Sequence, residues 1–144
     1  MRPTRDQYFM DLAIATAQRS TCDRAMVGAV AVKDNRIIAT GYNGSPKGWT
    51  HCDDGKHLLV NDHCVRTVHA EMNIICQAAK FGISLEGATI YCTHSPCYQC
   101  IKHLENAGIK NIIYLEYKDD SLFRSEDMLN SNCISKKLGD KDDN

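Results

Sequence analysis

Nowhere in this chain of 144 residues does an apolar run approach the length a membrane-spanning helix needs. The opening Met1-Arg-Pro-Thr-Arg-Asp6 lacks the apolar core of a secretory leader. Net charge is nearly absent as well: 17 Lys and Arg stand against 18 Asp and Glu, a formal balance of -1. No global basic field exists to grip a polynucleotide backbone, so a nucleic-acid polymer is not an expected partner, and neither is a membrane. A small anion is still admissible, because two or three local cations suffice for one. There is no internal repeat and no low-complexity segment apart from the polar end, residues 139–144, which is expected to fray. With 43% hydrophobic residues the chain can fill one core but is too short for two, so residues 1–138 are expected to form a single domain.

Cysteine, by contrast, is plentiful: there are 8. In a small secreted chain that number would suggest a disulfide framework. Without a leader, the expectation is a cytoplasmic protein whose cysteines are reduced, buried or bound to metal. Three of them, Cys76, Cys92 and Cys133, lie in apolar settings and read as packing residues.

The chemistry concentrates in Thr67-Val-His69-Ala-Glu71 and Ser95-Pro-Cys97-Tyr-Gln-Cys100. His69, Cys97 and Cys100 supply three borderline or soft ligands, which suits a tetrahedral Zn²⁺ with its fourth position open. Glu71 is too near His69 to close the same tetrahedron, but it can carry protons beside the metal. His-x-Glu alone is common by chance, and Cys-x-x-Cys alone fits a redox pair or half of a structural site. Together, with Pro96 before the first Cys, they form the signature of the zinc nucleobase deaminases.

Along the chain, Tyr8, Phe9, Leu12, Ala13, Ala15 and Thr16 recur at helical spacing behind Thr4, a suitable N-cap, and predict a helix to about Arg19. Val27 to Val32 and Arg36 to Thr40 predict a hairpin, apolar on both faces and therefore covered by helices on each side. A long loop follows from Gly41 to Cys64. It is rich in Cys and His and predicts a second, closed zinc site made of Cys22, Cys52, Cys64 and either His57 or His63. From His69 to Phe81, Met72, Ile75, Cys76 and Ala79 trace an amphipathic helix with His69 in its first turn. Residues 88–93 predict a strand. A helix from Cys97 to Asn106 follows, with Pro96 pre-setting its first turn and Cys97 and Cys100 on one face. Asn111 to Leu115 predicts a strand, Ser121 to Asn130 a helix, and Cys133 to Lys136 a short strand. The sum is a mixed central sheet with helices on both faces.

These residues resemble the cytidine and deoxycytidylate deaminase superfamily. Tyr8-Phe-Met10, Arg19-Ser-Thr-Cys22-Asp-Arg24, Val27-Gly-Ala29 and Gly41-Tyr-Asn43-Gly-Ser-Pro46 narrow the resemblance to the deoxycytidylate (dCMP) deaminases, most like the short bacterial and phage forms, over residues 4–118. It implies a three-layer α/β/α fold of mixed central sheet and conversion of dCMP to dUMP for thymidylate supply. It also implies a homohexamer, activated by dCTP and inhibited by dTTP, with Mg²⁺ accompanying the regulatory nucleotide. By the same resemblance Asn43 and Ala70 contact substrate, Arg24 lies near its phosphate, Tyr117 closes over the pocket and Lys80 sits at a regulatory or subunit contact. Some phage members carry a second zinc with ligands matching Cys22 and Cys52. This chain departs from them at Thr67, where they place a carboxylate ligand, so Cys64 and His57 or His63 would have to substitute. Two other readings compete: a deaminase of free cytidine or of transfer-RNA adenosine, and a non-catalytic zinc protein that binds nucleotides.

Overall fold

The computed structural model describes residues 1–118, 127 and 130–139. The helix α1, Arg5–Ala17, starts where the sequence predicts: Thr4 Oγ1 accepts the Gln7 N–H at 3.2 Å, satisfying one of the orphan donors of the first turn. The hairpin β1 (Gly28–Lys33) and β2 (Arg36–Tyr42) turns through Asp34 and Asn35, both at positive φ, the geometry that matches strand twist in a two-residue turn. β1 is then paired on its other side by β5 (Thr89–His94), antiparallel, and β5 by β6 (Asn111–Glu116), parallel. A last strand, β7 (Ile134–Lys137), adds parallel to β6 and gives the order β2-β1-β5-β6-β7.

Alternation along β1 divides the core. Val30 and Val32 face α1 with Phe9, Met10 and Ala13, whereas Ala29 and Ala31 face α2 (Ala70–Phe81) and α3 (Tyr98–Asn106). The result is three layers, α/β/α, as expected. Two glycines set how closely the layers approach. A Cβ on Gly28 would lie 2.2 Å from the Ala13 carbonyl oxygen, and one on Gly41 would lie 2.3 Å from that of Ala70. The second contact presses the start of α2 onto β2.

Several expectations are corrected. β2 is an edge strand whose Arg36, Ile37 and Thr40 are exposed, so of the two hairpin strands only β1 is buried on both faces. The residues α2 buries are Ala70, Glu71, Ile74 and Ala78, not Met72, Ile75, Cys76 and Ala79. The close approach at Gly41 brings Ala70 and Ile74 against β2, and small residues such as Ala70 and Ala78 are passed over by a pattern counted by hydrophobicity. Cys76 is consequently exposed, whereas Cys92 and Cys133 are buried. The loop after β2 contains a miniature hairpin, β3 (Leu59–Val60) and β4 (His63–Cys64), turning through Asn61 and Asp62 at positive φ. The helix expected over Ser121 to Asn130 and the polar end beyond Gly139 fall largely outside the described residues. No helix among those residues is long and apolar enough to cross a membrane.

Candidate metal centre

The first donor cluster is assembled by two helix starts. His69 is the N-cap of α2 and Cys97 the N-cap of α3, both with extended backbone, one position earlier than the first-turn placement expected from the sequence. Pro96 correspondingly precedes the cap instead of opening the helix. Neither side chain makes a capping hydrogen bond to its helix, so both are available to a shared partner. Cys100 lies three residues into α3. His69 Nδ1 stands 3.6 Å from Cys97 Sγ and 3.4 Å from Cys100 Sγ. Zn–S bonds of about 2.3 Å and Zn–N bonds of about 2.0–2.1 Å at a tetrahedral angle require an N···S edge of roughly 3.6 Å, so the donor set fits the ion.

The segment leading to His69 is tied down on both sides. Gly44 and Val68 exchange backbone hydrogen bonds of 3.2 and 2.9 Å, and the Asn73 side-chain N–H₂ donates to the Tyr42 carbonyl at 2.7 Å. The donors polarise one another. Cys97 is pushed down to about 4 by the hydrogen bond from Cys100 and then by His69, while the Cys100 thiol is raised by that same bond and by burial. The His69 imidazole is raised, chiefly by its bond to Cys97. One thiolate is thus already favoured. Glu71, in the first turn of α2, is buried, and its Oε1 accepts from the Cys92 thiol at 2.9 Å.

A cavity of about 550 Å³ opens above this cluster. Its lining includes Arg24, Asn43, His63, Thr67, Ala70, Glu71 and Ser95, all named from the sequence, but also His94 and Lys118, which were not. His94 and Lys118 follow from topology: binding crevices in such sheets form at the carboxyl ends of parallel strands, here β5 and β6. There Ser95 N–H donates to the Glu116 carbonyl at 2.8 Å, Lys118 N–H donates to Ser95 Oγ at 2.7 Å, and His94 Nε2 lies 3.3 Å from Glu116 Oε2. Tyr117 is exposed and stands outside the lining. Lys80, in the last turn of α2, lies over the exposed Phe81 ring. Asn43 is buried and spends its side chain on the neighbouring loop: its Oδ1 accepts from Val27 N–H at 2.9 Å and from Ser20 Oγ, and its amide N–H₂ donates to the Ala25 carbonyl. It thereby holds in place the segment that carries Arg24.

The second cluster joins Cys22, Cys52, His57 and Cys64, all donor atoms within 4.8 Å of one another. Cys22 Sγ lies 3.5 Å from His57 Nδ1, and Cys52 Sγ lies 3.5 Å from Cys64 Sγ. The segment after α1 does pack beside the loop, and His57 takes the place left open between two histidines. His63 faces the cavity. The other ring nitrogen of His57 is 3.0 Å from Asp23 Oδ1, the carboxylate partner that commonly orients a metal-binding imidazole. Burial raises Cys52 to about 12, with Cys64 and Cys22 adding to the effect. Burial opposes the thiolate of Cys64 too, but the Arg66 backbone and His57 outweigh it and bring Cys64 down to about 6.

Residues 3–116 match the family described as the cytidine and deoxycytidylate deaminase zinc-binding region. ComE operon protein 2 of Bacillus subtilis is 54% identical over 111 residues, 77% of this chain but only 59% of that protein. The deoxycytidylate deaminase of Mycobacterium phage D29 is 42% identical over 125 residues, covering 78% of this chain and 95% of the phage enzyme. Among solved structures, the dCMP deaminase of cyanophage S-TIM5, in complex with dCMP and dUMP, superposes with a TM-score of 0.79 at 32% identity, over 96% of this chain and 99% of the other. The family match ends on Glu116, the last residue of β6, and so takes in every element that converges on His69, Cys97 and Cys100. By that extent of shared sequence and by its fold, this chain belongs to the zinc-binding family of cytidine and deoxycytidylate deaminases.

Proposed function

We propose that this chain hydrolyses dCMP to dUMP and ammonia, with Zn²⁺ held by His69, Cys97 and Cys100. The observation that carries the proposal is the meeting of a three-donor cluster and a buried carboxylate, Glu71, in one cavity of nucleotide size. Zinc, when bound, acidifies a coordinated water to near neutrality. The positive ends of α2 and α3, aimed at the cluster, assist by about 0.3–1 kcal/mol each at exposed sites. Glu71 takes a proton from water at a carboxylate oxygen and passes it to the ring N3 as the water oxygen adds to C4. It then carries the second proton to the amine as the C4–N bond breaks. Burial of Glu71 keeps bulk water from short-circuiting that transfer.

Arg24 and Lys118, cations on the cavity wall, and the His94 imidazole would take the 5′-phosphate, Ala70 and Asn43 would back the base and sugar, and Tyr117 would close over them. Arg24 now donates to the Asp62 carbonyl at 3.0 Å, an exposed contact that a phosphate would replace. The four-donor cluster would hold a second, structural zinc, its closed donor set and its Asp23 partner supporting that reading. The resemblance to dCMP deaminases extends the proposal to a cytoplasmic homohexamer that feeds thymidylate synthesis and responds to dCTP and to dTTP with Mg²⁺. It also extends to residues 1–138 acting as one deaminase domain, consistent with β7 ending at Lys137.

Ammonia release from dCMP, dCTP, cytidine and transfer RNA tests the assignment. Turnover of dCMP well above the others is expected, and its increase on adding dCTP tests the regulation. Turnover of none of them would favour a binding module.

A further inference from the structure

Cys92 occupies the middle of β5, paired to Ala29 on one side and Tyr114 on the other, and it is fully buried. It belongs to neither donor cluster. Ile90, two residues back along the strand, faces the same apolar core, and an aliphatic side chain at 92 would fill that core equally well. It would not supply the 2.9 Å hydrogen bond that the Cys92 thiol donates to Glu71 Oε1. A carboxylate only 4% exposed depends heavily on each donor that reaches it. The terminal torsion of a Glu side chain is broad and nearly two-fold, so nothing intrinsic fixes which oxygen faces the reacting atoms.

We infer that Cys92 is a positioning residue, its S–H anchoring one oxygen of Glu71 against the sheet so that the other is presented to water and to the base. This rests on the proposed role of Glu71 as proton carrier. No bond to Cys92 forms or breaks, and its thiol keeps its proton throughout. Burial, with the charge of Glu71 added, holds that thiol well above the ordinary range, consistent with a permanent donor. The gain is one of orientation, of the kind that converts a loosely held catalytic group into a near-attack one.

The test uses the zinc-loaded full chain with Cys92→Val, which fills the site without a donor, Cys92→Ala and Cys92→Ser, which keeps one. Losing a hydrogen bond to a charged group should lower kcat on dCMP by about tenfold in the Val and Ala variants, with KM within about twofold. The Ser variant should recover to within about threefold of the wild-type kcat. Zinc content and melting temperature, measured alongside, separate loss of fold from loss of orientation, and the Val variant decides if the Ala variant does not fold. Full activity in the Val variant, equal impairment of Ser and Val, or a loss carried by KM would overturn the inference. Glu71→Gln is run in parallel. If it is inactive while Cys92→Val is fully active, only the inference fails; if it is itself active, the proton-carrier reading fails first.

Discussion

Two clusters of sulfur and imidazole border the same cavity, and they are built from different material. His69, Cys97 and Cys100 come from the starts of two helices packed on the sheet, and they present three donors beside a carboxylate. Cys22, Cys52, His57 and Cys64 come from loop segments and a two-residue strand, and they present four. Cys22 and Cys64 also line the cavity, so the second cluster forms part of the wall the substrate would meet. Donor count and scaffold together separate the tasks. Three donors on rigid elements would leave a bound zinc one coordination position for chemistry, whereas four donors on a stretch with exposed Leu58, Leu59, Val60 and Val65 would, with zinc, do what its apolar side chains do not, and fix the loop.

That contrast is broken most severely at Glu71. Glu71→Gln should lower kcat on dCMP by about 10²–10⁴-fold while leaving the zinc content unchanged, as read by ammonia release and metal analysis. Removal of one donor from each cluster should then have opposite signatures. Cys97→Ala should abolish activity and lose the zinc at the helix starts. Cys52→Ala, at a residue outside the cavity lining, should lose the loop zinc and lower the melting temperature by about 10 °C, with kcat at low temperature reduced less than tenfold. If the two variants lost activity and stability to the same degree, the division of tasks would be wrong. Asp23→Asn should weaken zinc at the loop cluster alone, by about 10–100-fold in a chelator competition. The smallest effect is expected at Gly41→Ala. The added Cβ meets the Ala70 carbonyl and must shift the start of α2, at a cost of about 1–3 kcal/mol in urea unfolding.

The catalytic candidates were legible because the motif is local chemistry at fixed spacing: His69, Glu71, Cys97 and Cys100 are each named by their neighbours, and the fold gathers His69, Cys97 and Cys100 into one cluster with Glu71 in the wall of the same cavity. The mixed sheet was legible from strand and helix order. The buried face of α2 was not, since Ala70 and Ala78 carry little apolar surface and the face is set by the approach of Gly41 to Ala70 and Ile74, a contact between distant segments. Nor could the sequence choose between His57 and His63. In β4 successive side chains leave opposite faces, so once Cys64 turns toward the loop cluster its neighbour His63 is turned away. The alternation belongs to the little hairpin, whose two-residue strands carry too short a pattern to be read. Cys92 looked like packing because its hydrogen bond to Glu71 joins a strand to a helix 21 residues earlier.

Everything proposed for the reaction requires that zinc at the helix starts have three protein donors and no fourth. Zinc-edge X-ray absorption on a Cys52→Ser, Cys64→Ser double variant, which leaves only that cluster competent, tests it most directly. One zinc per chain is expected, with two sulfurs and a single imidazole nitrogen from the protein, in a variant that still releases ammonia from dCMP. A shell of four protein donors, or a chain that deaminates dCMP without zinc, would contradict it.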